Sequence, residues 1–320
     1  MTALAATDSA RRLTPKGAGM DPIFKAVCFS AATALLCALA GVMVSLVIGG
    51  WPAFAKFGFG FFVSSSWNPV TEVYGAAGPI AGTLITAFLS LLIALPIAFG
   101  VAVFLTEFCP RALRRPIGVA VELLAGIPSI VYGMWGLFVF APLFSKFVQL
   151  PLMMAAKPGS LLEKLTTGVP NGSGILSASI ILAIMILPFM AATLRELLLT
   201  VPAPVRESAY GLGATTAEVV MSVTLPYVRS GAIGAVMLGL GRALGETMAV
   251  TFIIGNAHGM PSSLFDSGST IASTIANEFT EATSPVHTAS LIALGFVLFV
   301  ITFAVLALAR LMLRNAEHRL

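Results

Sequence analysis

The sequence predicts an all-α polytopic membrane protein, and three observations support this class. Of the 320 residues, 58% are hydrophobic and 10% are charged, with a mean hydropathy of +0.97, which is more apolar than a soluble domain of this length can bury. Six stretches reach the roughly 20 apolar residues that a bilayer-spanning helix needs. The basic residues collect at alternate ends of those stretches. Because unpaired backbone polar groups are not tolerated in lipid, each stretch is expected to be a helix.

The six apolar stretches divide the chain. They cover about 24–49, 80–105, 117–140, 175–199, 232–255 and 289–313. The first is too long for the core of a cleaved signal peptide, so we interpret it as a retained signal anchor. The predicted organisation is a polar N-terminal arm at 1–22, an N-terminal membrane helix at 23–50, a core of five membrane helices at 79–313 and a tail at 314–320.

Arginine and lysine are enriched in the cytoplasmic loops of membrane proteins, and this bias orients the chain. With the N-terminus inside, thirteen of the 18 basic residues fall on the cytoplasmic side and four fall outside, namely Lys56, Lys146, Lys157 and Lys164. The remaining one, Arg242, lies inside a span. Both termini and the loop between the fourth and fifth spans are therefore predicted to be cytoplasmic. The same topology explains the net charge of +4 better than a nucleic-acid-binding face does.

The loop at about 202–227 is too polar to cross the bilayer and carries the signals of two short helices. Gly213 suits the left-handed position just after a helix. Thr215 and Glu218 have the spacing of a capping box, which begins the next helix. Pro226 is expected to limit that second helix. Two short helices bent at a glycine form a knob suited to a socket on a water-soluble protein.

The same loop resembles the EAA loop of ABC importer permeases, where a small serine replaces the middle residue of the family's triplet. The resemblance is carried by Glu207, Ser208, Ala209, Gly213, Leu225 and Pro226. It implies a loop that docks on an ATPase and transmits its movement. On composition alone, an ordinary amphipathic connector is an equally good interpretation.

No catalytic or nucleotide-binding motif is found in the sequence. No lysine is followed by serine or threonine, which excludes a phosphate-binding P-loop. The three histidines do not form a zinc-binding motif, and the three cysteines have neither a metal-binding nor a disulfide spacing. We therefore expect a transport subunit, not an enzyme, without a cofactor or metal of its own. ATP and magnesium are expected on a separate ATPase.

Charged residues inside spans are costly and usually functional, which directs attention to three of them. Arg242 is placed near the middle of the fifth span, and Glu246 follows at i+4 on the same predicted helix face. Glu122 lies near the cytoplasmic end of the third span. Arg242 and Glu246 are either a structural ion pair or part of an anion pathway, since the arginine fork suits an oxyanion. The two interpretations are compatible.

Proline lies inside three of the predicted spans and is expected to kink each helix. These residues are Pro96 in the second span, Pro128 in the third and Pro188 in the fourth. Each removes a backbone hydrogen bond, and at Pro128 the freed carbonyl is that of Leu124, which Ser129 is positioned to satisfy. Bent helices leave room for a central cavity.

The outer loops are candidates for docking a delivery protein, although they could equally serve only to close the helix bundle. Ile271, Ile275 and Phe279 recur every fourth residue, which predicts a short amphipathic helix on the membrane surface. Trp51 and Trp67 are predicted to be interfacial anchors.

Three longer segments resemble the PstC family, the permease subunits of phosphate ABC importers. They begin WNPVTEVYGAAGPIAG, ELLAGIPSIVYG and LPYVRSGAIGAV. The resemblance implies a type I ABC importer fold with inorganic phosphate as the substrate, in the bacterial inner membrane. It implies a second, PstA-like permease, a PstB-like ATPase dimer and an extracytoplasmic PstS-like phosphate-binding protein. It also assigns the family's charged intramembrane pair to Arg242 and Glu246.

Two other functions remain open from the residues. The same machine could carry another oxyanion, such as sulfate, molybdate or a phosphonate, because an arginine recognises oxyanions generally. The chain could also be an ATP-independent channel or secondary anion transporter, in which case the likeness of the 202–227 loop would be coincidental.

Overall fold

A computed structural model describes residues 21–317, with side chains up to residue 311. Almost all of the predicted arm at 1–22, and residues 318–320 of the predicted tail, lie outside the described residues. The chain divides into two units at residue 48. The described part of the first unit is the beginning of one long helix, and the second unit, from Gly49 onward, contains all the remaining elements.

The described residues are mostly helical. The α-helices are α1 (Asp21–Phe57), α2 (Gly60–Val63), α3 (Ala77–Val103), α4 (Arg111–Ala125), α5 (Ser129–Trp135), α6 (Ala141–Phe144), α7 (Leu150–Ala155), α8 (Leu161–Thr166), α9 (Ile175–Leu199), α10 (Ala203–Gly211), α11 (Thr216–Val219), α12 (Leu225–Leu244), α13 (Met248–Ile253), α14 (Ile271–Glu278) and α15 (Pro285–Glu317). Two short antiparallel strands, β1 (Trp67–Asn68) and β2 (Val73–Tyr74), form a hairpin before α3.

Six helical stretches within residues 21–317 are long and apolar enough to span a membrane, as the sequence predicts. They are Asp21–Phe57, Ala77–Phe108, Ser129–Ala155, Ile175–Leu199, Thr216–Leu244 and Pro285–Leu311. The fourth has the predicted bounds, and the second and sixth begin and end within four residues of theirs. The first extends over 21–57, beyond the predicted 24–49 at both ends. The third and fifth differ substantially.

Helix α9 is the centre of the main core, and α3 packs along it. The face of α3 in this core is a stripe of small residues, Ala87, Ala94, Ala98 and Ala102, all of them buried. Small residues allow membrane helices to approach closely and gain van der Waals contacts, which drive association in lipid. Helix α12 packs on α9 through Gly239, where an added Cβ would lie 2.7 Å from the Met190 sulfur.

Each π-helical segment in the described part of the chain ends two residues before a proline. The segments are Phe104–Phe108, Gly136–Phe140, Ser145–Gln149 and Val220–Thr224, which precede Pro110, Pro142, Pro151 and Pro226. A proline lacks an N–H and its ring clashes with the carbonyl four residues earlier. The wider π turn moves that carbonyl aside, so the three segments before Pro142, Pro151 and Pro226 allow a helix to continue through the proline.

The third predicted span, 117–140, is wrong in its position. Helix α4 is a separate amphipathic helix, and the membrane span begins at Ser129 and continues to Ala155. Gly126 caps α4, and Pro128 disfavours helical geometry at the residue before it. The span then continues past Pro142 and Pro151 through two π segments, which the hydropathy pattern alone does not reveal.

The fifth predicted span, 232–255, is also displaced, and Pro226 does not limit the second loop helix. Helix α11 passes through the π segment into α12, so that one helical stretch covers Thr216–Leu244. The N–H of Leu225 donates to the carbonyl of Val220, which is the π-type bond immediately before the proline. The stretch ends at Gly245, and α13 is a separate short helix.

The predicted outer helix exists as α14, but it is buried rather than lying on the membrane surface. Ile271 and Ser273 are fully buried, and the backbone N–H of Ile271 donates to Oγ1 of Thr83 on α3 at 2.9 Å. Trp67 is likewise buried, contrary to the prediction of an interfacial anchor, whereas Trp51 is exposed as that role requires. Polar residues of this region contact one another within the protein instead of facing lipid headgroups.

Candidate functional site

The loop at 202–227 contains the bend that its glycine predicts. Gly213 has a φ of +89°, and its N–H donates to the carbonyl of Tyr210 at 2.9 Å, while Ala214 donates to that of Ala209 at 3.2 Å. These two bonds form a Schellman motif, which closes the C-terminus of α10. Space for a side chain is open at Gly213, so the backbone conformation is what favours glycine there.

The second loop helix begins with the predicted capping box. Oγ1 of Thr215 accepts from the backbone N–H of Glu218, and the Glu218 carboxylate accepts from the backbone N–H of Thr215 at 2.7 Å. The cap fixes the start of a helical stretch that continues to Leu244 and therefore includes Arg242.

The remaining loop residues are mostly on the surface. Glu207, Ser208 and Pro226 are exposed, and Ala209 and Leu225 are half-buried. Leu212, which the sequence reasoning missed, is 90% exposed at the tip of the bend. A large apolar side chain presented in this way on a polar loop fits a socket on another protein.

A buried ion pair connects the loop to the second span, and the sequence analysis missed it. Nη2 of Arg206 on α10 donates to both carboxylate oxygens of Glu107, at 2.7 and 2.6 Å. Glu107 follows α3 and its side chain is only 4% exposed. The two residues are 99 positions apart, so sequence spacing cannot predict that they pair. The one signal in the sequence is that Glu107 is an acidic residue at the end of an apolar span. The pair therefore joins α10 to the segment that follows α3.

Arg242 and Glu246 do not form the predicted pair on one helix face. Helix α12 ends at Leu244, and Gly245 breaks the i, i+4 relation. Oε1 of Glu246 instead accepts from the backbone N–H of Ala249 at 3.2 Å, at the N-terminus of α13, where a negative charge is favoured. Arg242 is exposed on the surface of the chain and has no ion-pair partner among the described side chains.

Helix α5 packs closely against the region that follows Arg242. At Gly133, an added Cβ would lie 3.0 Å from the carbonyl oxygen of Met248 and 3.1 Å from Cα of Ala249, so only glycine allows this contact between α5 and α13. The beginning of the third span thus supports the turn that carries Glu246.

Glu122, the third predicted pathway residue, is paired elsewhere. Its Oε1 accepts from Nη1 of Arg195 on α9 at 2.9 Å, and the same Nη1 lies 3.3 Å from Glu196. Gly118 on α4 leaves room for this guanidinium. The structure therefore gives Glu122 the role of attaching the amphipathic helix α4 to α9.

The three prolines behave differently. Pro96 and Pro188 lie within α3 and α9, which continue past them. Pro128 lies between α4 and α5 and separates them into two helices, so it does not kink a single helix. The carbonyl of Leu124 accepts from the backbone N–H of Ile127 at 3.3 Å and from the hydroxyl of Tyr132 at 3.1 Å, and the predicted partner Ser129 is not used.

A cavity of about 500 Å³ lies beside Pro96. It is lined by Leu92, Leu95, Pro96, Phe99, Leu194, Leu225, Ala232, Ile233 and Val236. All of these side chains are apolar, so none can donate a hydrogen bond to an oxyanion in place of its hydration water. The cavity therefore does not fit an anion pathway. Within the described residues, no group of three or more His, Cys, Asp or Glu is arranged to hold a metal ion.

Comparisons with known proteins agree with this architecture. Residues 94–318 match the family described as "Binding-protein-dependent transport system inner membrane component". The chain is 54% identical over 99% of its length to the phosphate transport system permease protein PstC of Mesorhizobium japonicum, covering 97% of that relative. It is 52% identical over 93% of its length to the PstC protein of Haemophilus influenzae, covering 95% of it.

The fold is also found in a solved structure. The chain is similar to a bacterial ABC transporter involved in the import of the acidic polysaccharide alginate, with a TM-score of 0.61, 17% identity and coverage of 93% of this chain and 96% of that one. This likeness concerns the fold alone and confirms the type I ABC importer architecture. The chain belongs to the inner-membrane components of binding-protein-dependent transport systems and, within them, to the PstC permeases.

Proposed function

We propose that this chain is the permease subunit of an ATP-driven importer that carries inorganic phosphate across the bacterial inner membrane by alternating access. The relatives named PstC support phosphate as the substrate. The observation that carries the proposal is the position of Arg242, an arginine exposed on the surface of a membrane-spanning helix. An unpaired charge facing lipid is costly, so this surface is expected to face a partner or a water-filled pathway.

The chemistry of Arg242 fits the proposed substrate. Its guanidinium offers several N–H donors in a planar fork that matches phosphate oxygens. Glu246 keeps a negative charge nearby but does not neutralise the arginine, because its carboxylate accepts from the N-terminus of α13. A site of this kind binds an anion without holding it too tightly for release. The exposed face of α12 is where a second, PstA-like permease would complete the pathway.

The cytoplasmic loop supplies the mechanical connection. A PstB-like ATPase dimer, which binds ATP and magnesium, would receive the knob formed by α10 and the Gly213 bend. Its closure would move α10, which pulls on α3 through Arg206 and Glu107. It would also move α11, whose helical stretch is continuous with α12 as far as Leu244. Nucleotide binding and the position of Arg242 are thereby coupled, with phosphate delivered outside by a PstS-like binding protein.

The test is phosphate uptake by proteoliposomes that contain the complete transporter. Arg242→Gln removes the charge with little change in size, and we expect uptake to fall by about tenfold or more while the subunits still copurify. Arg229→Gln is the matched control, because it makes the same change at the cytoplasmic end of the same helix and is expected to leave uptake nearly unchanged.

Two results would contradict the proposal. Unchanged uptake in Arg242→Gln would restrict the arginine to a structural role. Preferential uptake of sulfate, molybdate or a phosphonate by the wild-type complex would keep the importer but change its substrate. Competition of each anion against labelled phosphate distinguishes these outcomes.

A further inference from the structure

A second polar site lies at the opposite end of the spans from the cytoplasmic loop. Its centre is Glu278, at the end of α14, whose side chain is 11% exposed. Oε2 accepts from Nε1 of Trp67 at 2.7 Å and lies 2.7 Å from Nε2 of His287, and Oε1 lies 2.9 Å from Nε2 of His258. Tyr74 stacks on the His287 ring with centroids 5.0 Å apart. We call these five residues the outer cluster.

The outer cluster leaves hydrogen-bond acceptors unused. Burial opposes the ionisation of Glu278, but the hydrogen bonds from His258, Trp67 and His287 outweigh it and keep the pKa of this carboxyl below its ordinary value of 4.5. An ionised carboxylate only accepts, so both histidines donate Nε2–H to it. Among the described residues, Oδ1 of Asn256 and the hydroxyl of Tyr74 are buried atoms that have no hydrogen-bond partner.

An open cavity of about 500 Å³ is lined by Asn256 and by every residue of the outer cluster except Trp67. The rest of its lining is polar and acidic: Asn277, Glu281, Thr283 and Ser284, with Pro69 at the edge. Glu281 is exposed and has no ion-pair partner among the described side chains. Lys56 is paired with Glu72, at 3.2 Å. The cavity therefore presents acceptors and carboxylates without a lysine or arginine in its lining.

This chemistry excludes the transported anion as the occupant and favours a donor with positive charge. Phosphate would meet Glu281 and the ionised Glu278 with no arginine or lysine to offset the repulsion. A lysine or arginine side chain, by contrast, brings only donors and a positive charge. Buried polar groups that lack a partner in the free protein gain most from such a ligand.

The surroundings of the cavity indicate that the cation is part of a protein. Val70, next to Pro69, is 92% exposed, and Phe279, next to Glu278, is 53% exposed. Apolar side chains beside a polar pocket are typical of a protein interface, where they exclude water from the central contact. A free cation would not contact these apolar side chains.

We propose that this cavity is a docking socket for a lysine or arginine side chain of the extracytoplasmic phosphate-binding protein. The inference rests on the proposed function, because its partner is the binding protein that delivers phosphate to the permease. Glu281 attracts the cation at the rim, and the Tyr74 hydroxyl, Asn256 and the Glu278 carboxylate accept its hydrogen bonds inside. Docking through a charged contact also accelerates the encounter of the two proteins.

The test measures binding of the phosphate-loaded binding protein of the same organism to the complete transporter in lipid nanodiscs, at low and high salt. Glu281→Gln is expected to weaken binding at low salt by about tenfold and to reduce its salt dependence. Glu163→Gln is the matched control, because it removes one exposed carboxylate from another outer loop and is expected to have no effect.

A second variant tests the interior of the socket. Tyr74→Phe removes a hydroxyl that has no partner in the free chain, so the melting temperature should be unchanged while docking weakens severalfold. Wild-type affinity in both Glu281→Gln and Tyr74→Phe would overturn the inference. Loss of the second permease from the complex in either variant would also overturn it, by assigning the cavity to that subunit. If the wild-type complex failed to bind the delivery protein, the proposed function itself would fail.

Discussion

The two ends of this molecule each contain a buried glutamate, and the two glutamates are satisfied differently. At the end that carries the 202–227 loop, Glu107 receives both of its close hydrogen bonds from the single guanidinium of Arg206. At the opposite end, Glu278 is shared among Trp67, His258 and His287. The first arrangement is a closed link between two elements and is suited to transmitting movement. The second gathers several elements and leaves acceptors unused, which suits a site that waits for a ligand.

The largest effect is expected from breaking the cytoplasmic link. Arg206→Ala leaves the buried Glu107 carboxylate with only the Tyr210 hydroxyl, at 3.5 Å, as a side-chain donor. Breaking a buried ion pair by removing one partner typically costs about 3–5 kcal/mol. We expect a less stable subunit, and ATP hydrolysis that no longer drives uptake. The measurements are the melting temperature of the complex and the number of phosphate ions transported per ATP.

A double variant separates stability from coupling. Glu107→Gln combined with Arg206→Gln removes both charges and should recover much of the stability that Arg206→Ala loses. The number of phosphate ions transported per ATP should nevertheless stay low, because the ion pair that joins α10 to the second span is gone. Glu196→Gln serves as the control, since it alters an exposed ion pair of small energetic value. A normal transport ratio in the double variant would show that the link has no part in coupling.

A smaller effect is expected at the bend of the loop. Gly213→Val places a β-branched residue at a φ of +89°, at a cost of about 1–3 kcal/mol, although the space around it is open. The ATPase should copurify in lower yield or hydrolyse ATP without transport. Gly211→Ala is a close control, because Gly211 ends α10 in helical geometry with equally open space, and alanine is favoured there. Equal ATPase recovery in the two variants would refute the role of the bend.

The smallest effect is a pH dependence confined to the outer end. The pKa of Glu278 is lower in the folded chain than its ordinary value of 4.5, so its stabilising contribution is complete above that pH and is lost as the pH falls through the folded value. The difference in melting temperature between wild type and Glu278→Gln should therefore narrow as the pH is lowered below 4.5. A difference independent of pH would show that the carboxylate charge is not what holds the outer cluster together.

Local signals of the sequence were enough to place much of the fold. The fourth span lies at Ile175–Leu199 as its uninterrupted apolar run predicts. The left-handed glycine and the capping box were also recognised, because each depends only on residues a few positions apart.

The errors came from interactions over longer distances. The third and fifth spans were displaced because π segments take the helix past Pro142, Pro151 and Pro226, and hydropathy does not register that adjustment. The link between Glu107 and Arg206 and the bond from Trp67 to Glu278 join residues 99 and 211 positions apart. Spacing rules cannot detect such pairs. The expected pairing of Arg242 with Glu246 failed because Gly245 ended the helix one residue too early.

The central claim is that movement from ATP hydrolysed by another subunit reaches Arg242 through the cytoplasmic loop. The most direct test compares phosphate accumulation in proteoliposomes that contain this chain alone with accumulation in those that contain the complete transporter, each with and without ATP. The account predicts accumulation only in the complete transporter supplied with ATP and the binding protein. Phosphate transport by the chain alone, independent of ATP, would contradict it.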